Sequence, residues 1–113
     1  MMKKINIPTD NVVIGSNTIE EHKFQVLNFM NMIYDIAFNN GNRNNINPWI
    51  NNLKYEITQV KWLSTEHGIW NFHIEPHIEI LKTKLITNQI KEKDWKDLLE
   101  TLAKILDIKY TLN

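Results

Sequence analysis

The stretch TIEEHKFQVLNFMNMIYDIAF, residues 18–38, constrains this chain more than any other. Thr18 followed three residues later by Glu21 has the form of a capping box, and the apolar positions after it recur at helical spacing as far as Phe38. On a helical wheel Val26, Leu27, Phe29, Met30, Ile33, Tyr34, Ile36, Ala37 and Phe38 fill an arc of roughly 200°, about twice what a surface helix needs. Only Gln25, Asn28, Asn31 and Asp35 lie on the narrow remainder. Such a helix either runs through the middle of a domain or keeps part of its apolar face for a partner. Central burial is the simpler reading, because side chains of these types are ordinarily inside.

A central helix needs others around it, and the sequence supplies three. Gly41, after Asn39 and Asn40, closes the first helix, and the polar run to Pro48 reads as a loop with Arg43, the only arginine, at its centre. Asn47 as N-cap and Pro48 at the first helical position open a second helix whose core stripe is Trp49, Ile50, Leu53, Ile57 and Val60. Tyr55 and Trp62, seven residues apart, stack with Gln59 on the opposite side. A third helix starts near Pro76 and runs through Ile78, Leu81, Leu85 and Ile86. The fourth carries Trp95, Leu98, Leu99, Leu102, Ile105 and Leu106 opposite Lys96, Glu100 and Lys104, with Asp94 and Asp97 near its N-terminus.

The expectation is one mostly α domain over residues 1–113, a compact four-helix, bundle-like body with helices at about 18–39, 48–67, 76–88 and 94–107. Two β-prone pieces, Ile5–Ile7 and Val12–Ile14, flank a Pro-Thr-Asp-Asn turn signal, so residues 1–15 read as an accessory hairpin or an extended arm. The tail after Ile108 leaves room for one more short strand.

Composition narrows the functional classes. The chain has no cysteine, which removes disulfides, thiolate chemistry and cysteine-based zinc sites. Thirteen basic residues balance thirteen acidic ones, and a single arginine among them argues against nucleic acid as the main partner. No apolar run approaches a membrane span, and Asn6 and Pro8 interrupt the N-terminal lysines before an export-type core forms, so a cytoplasmic setting is expected. Abundant Asn, Ile and Lys match an AT-rich genome and say nothing of activity.

The segment WNFHIEPHIEIL, residues 70–81, raises the question of a metal or acid-base site. His67, His73 and His77 with Glu66, Glu75 and Glu79 lie within 14 residues, the basis for a small histidine- or metal-dependent hydrolase or nuclease. Pro76 opposes it by holding Glu75 extended, so His73 and Glu75 fall before the helix while His77 and Glu79 fall on it. The two serines, Ser16 and Ser64, have no nucleophile-elbow context, and three glycines make no phosphate loop. The run LLETLAKILDIKYTLN imitates the start of a helix-turn-helix without a recognition helix in the sequence to Asn113, so nucleic-acid binding is the weaker alternative expectation.

With no catalytic motif and no cofactor implied, the leading expectation is a non-catalytic factor that binds another protein, of the inhibitor, immunity or antitoxin type, or that forms a homo-oligomer. Tyr55, Trp62, Gln59 and Arg43 are its candidate contact residues, since Trp, Tyr and Arg dominate binding hot spots.

Overall fold

A computed structural model describes residues 4–7, 12–39, 41–64 and 74–113. Its elements are β1 (Ile5–Asn6), α1 (Ile19–Phe38), a 3-10 turn (Arg43–Asn45), α2 (Ile46–Leu63), α3 (Glu75–Ile86), α4 (Glu92–Leu106) and β2 (Thr111–Leu112). Among the described residues no helix is long and apolar enough to cross a membrane.

The wide apolar arc of α1 is accounted for by central burial. From Glu21 to Phe38 no residue of the helix is exposed, because α2 lies along it and α4 and the strands cover other sides. Met30 and Ile33 of α1 share one core with Ile50, Leu53 and Ile57 of α2, Ile78, Leu81 and Leu85 of α3, and Trp95, Leu99 and Leu102 of α4. Trp95 is wholly enclosed, and its indole N–H donates to the Met30 carbonyl oxygen at 2.8 Å. Its ring stands edge-on to Tyr34 at 5.1 Å, an arrangement aromatic pairs prefer.

Thr18 caps α1 as the sequence implies, its hydroxyl accepting from the Glu21 N–H at 3.2 Å. The Glu21 carboxylate reaches further back than a capping box requires and accepts from the N–H groups of Gly15 and Asn17. At the other end, Gly41 is required by close approach: a Cβ there would lie 2.4 Å from the Ile36 Cα. That contact explains the glycine without any left-handed backbone.

Helix ends differ from the sequence reading by up to four residues, α2 ending at Leu63 and α4 beginning at Glu92, and so does the strand pairing. The second helix begins at Ile46, so Pro48 occupies its third position, where the missing N–H is still one the helix does not use. Glu75 is helical, not extended, and Ile74 before it already has helical angles, with the Ile78 N–H donating to the Ile74 carbonyl at 3.0 Å. Pro76 therefore sits inside the first turn of α3. The sheet is not an N-terminal hairpin either. Ile5–Asn6 pairs antiparallel with Thr111–Leu112, while Val13 and Ile14 stay exposed in a turn.

Two short strands are marginal alone. Asn31, an amide in the middle of α1, holds the free edge of β1: its Oδ1 accepts from the Ile5 N–H and its Nδ2 donates to the Ile5 carbonyl, both at 2.9 Å. A Lys4–Asp35 pair at 2.9 Å fastens the same arm. Burial raises the Asp35 carboxyl, but hydrogen bonds from Lys4 and Asn39 outweigh it and hold the group below its ordinary value. The C-terminal run that imitates a helix-turn-helix ends in this strand instead, after a left-handed Asp107 closes α4.

Candidate functional site

The outward side of α2 is the unusual surface. Its inward stripe, Ile50, Leu53, Ile57 and Val60, is buried, and Trp49 packs at its edge against Phe29 with ring centroids 6.0 Å apart. Opposite it Tyr55 is 55 % exposed and Trp62 69 % exposed, with the half-buried Gln59 between them. Leu63, also exposed, extends this side at the helix end. Burying an exposed aromatic side chain of this size is worth several kcal/mol at about 25 cal/mol per Å².

Arg43 does not join that surface. Its guanidinium donates to the carbonyl oxygen of Ala37 at 2.7 Å, to that of Leu85 at 3.3 Å and to the Asn88 side chain. One planar fork thus reaches carbonyls at the C-terminal ends of both α1 and α3, sharing that of Leu85 with the Asn88 N–H at 3.2 Å. The residue is an internal clamp between helix ends.

Of the histidine cluster, His67, His73 and Glu66 lie outside the described residues. Within α3, Glu75 and Glu79 stand one turn apart beside Lys54 of α2, whose ammonium pairs closely with Glu79 and lies 3.9 Å from Glu75. The Lys54 hydrogen bond holds the Glu79 carboxyl below its ordinary value despite some burial. These two carboxylates therefore tie α3 to α2. His77 is exposed and lines a cleft of about 180 Å³ between α3 and α4, beside Lys84, Asp94 and Asp97. The charges there are already matched, Lys84 to Asp94 at 2.8 Å and Lys93 to Asp97 at 2.9 Å. Among the described residues no three His, Asp or Glu side chains group so as to hold a metal ion. Ser16 and Ser64 make short local hydrogen bonds, to the Thr18 hydroxyl at 3.1 Å and the Lys61 carbonyl at 3.1 Å.

The most concentrated polar chemistry lies at a residue the spacing arguments pass over. His22 of α1 is 5 % exposed, with Nδ1 2.6 Å from Glu56 Oε2 and Nε2 2.6 Å from Asn17 Oδ1. Glu56 is 8 % exposed on α2. A histidine between a carboxylate and an amide can orient a proton, but a ring this enclosed meets no substrate, and the network serves to bolt α1, α2 and the loop before α1 together. One signal was available: Glu56 falls on the same side of α2 as Trp49, Leu53 and Val60, and a carboxylate within a core stripe must find a donor. Which donor is invisible, since His22 is 34 residues away.

The chain matches no protein-family model, no curated protein and no solved structure.

Proposed function

We propose that this protein is a non-catalytic, stoichiometric protein-binding factor of the inhibitor, immunity or antitoxin type, working in the cytoplasm, and that it engages its partner through the outer face of α2. The observation that carries the reading is the exposure of Tyr55 and Trp62 together on one helix face whose opposite side supplies the core. Large aromatics bring contact area at low entropic cost, and they dominate interface energetics when a partner closes over them. Gln59 between them offers an amide that can donate and accept. Arg43, committed to helix ends, stands apart from this face.

The test is affinity capture from the native host, comparing the wild-type chain with Tyr55→Ala and Trp62→Ala. Both variants are expected to fold, as circular dichroism and urea melts would confirm. One protein should be recovered in fixed ratio by the wild type, with retention falling by roughly 30-fold or more in each variant, the ~2 kcal/mol of a hot spot. Equal recovery by all three chains, or none by the wild type under conditions that preserve weak complexes, would sink the proposal.

A further inference from the structure

We draw no further inference here: the strongest candidate, the open apolar hollow of about 160 Å³ where Phe24 and Leu27 of α1 meet Val12 and Ile108, carries nothing because nothing in the structure shows what covers it.

Discussion

Replacing His22 by alanine removes the ring that Glu56 contacts at 2.6 Å and leaves its carboxylate in a site that is 8 % exposed. Leaving a buried carboxylate without its hydrogen-bond partner costs about 1–3 kcal/mol, because the group has already lost its water. A domain of this size has roughly 5–15 kcal/mol in all, so the loss is a large share of its stability. With a urea slope of ~2 kcal/mol per M, the midpoint should fall by ~1 M. Glu56→Ala should cost a similar amount. The pair His22→Leu with Glu56→Leu should cost less than either single change, since an apolar pair of similar volume needs no partner and the exposed Asn17 amide can turn to water. Equilibrium urea unfolding of the four chains closes the cycle. Single changes below ~1 kcal/mol that add within ~0.5 kcal/mol would refute the argument, because they would mean that the two groups are not coupled.

Arg43→Ala should cost about 2 kcal/mol by urea unfolding, for a charged donor removed from three part-exposed acceptors at two helix ends, and Arg43→Lys should recover less than half because an ammonium lacks the planar fork. Asn31→Leu should lower stability by about 1–3 kcal/mol and speed exchange of the Ile5 amide, whose N–H and carbonyl both lose their partner. Gly41→Ala should cost about 1–3 kcal/mol, read as a lowered urea midpoint, since its new methyl meets the Ile36 backbone and not a yielding side chain. The Lys84 hydrogen bond, with help from the Lys91 N–H, holds Asp94 below its ordinary 3.8. A lowered folded value means the contribution is present above pH 3.8 and is lost as pH falls through that lowered value, so Asp94→Asn should flatten the acid limb of the thermal stability profile between pH 2 and 6.

Helical spacing made the four described helices readable, because each buries a stripe that repeats within its own sequence. Of the stripe Trp95, Leu98, Leu99, Leu102, Ile105 and Leu106 all but the half-buried Ile105 are buried, and the excess width of the α1 arc pointed to cover on several sides. The placement of Tyr55 and Trp62 away from the α2 core stripe was likewise a matter of angle. Local rules faltered where two of them competed. Pro76 disfavours a helical residue before it, yet Glu75 is helical, with Lys54 of α2 beside its carboxylate. Val12–Ile14 has strand-like composition, but the edge of β1 it might have taken is occupied by Thr111–Leu112 and the side chain of Asn31.

Sequence alone thus determined the helical class, the four described helices, most of the inward stripes and the outward aromatic pair, because those follow from a repeat of 3.6 residues along one segment. Only the tertiary structure decided that β1 pairs with the C-terminal strand, that Arg43 closes two helix ends rather than facing outward, and that His22 meets Glu56. Each is a bond between residues 34 or more apart, or at the meeting of three segments, where the partner is chosen by how the helices pack and by the cost of leaving a buried polar group alone.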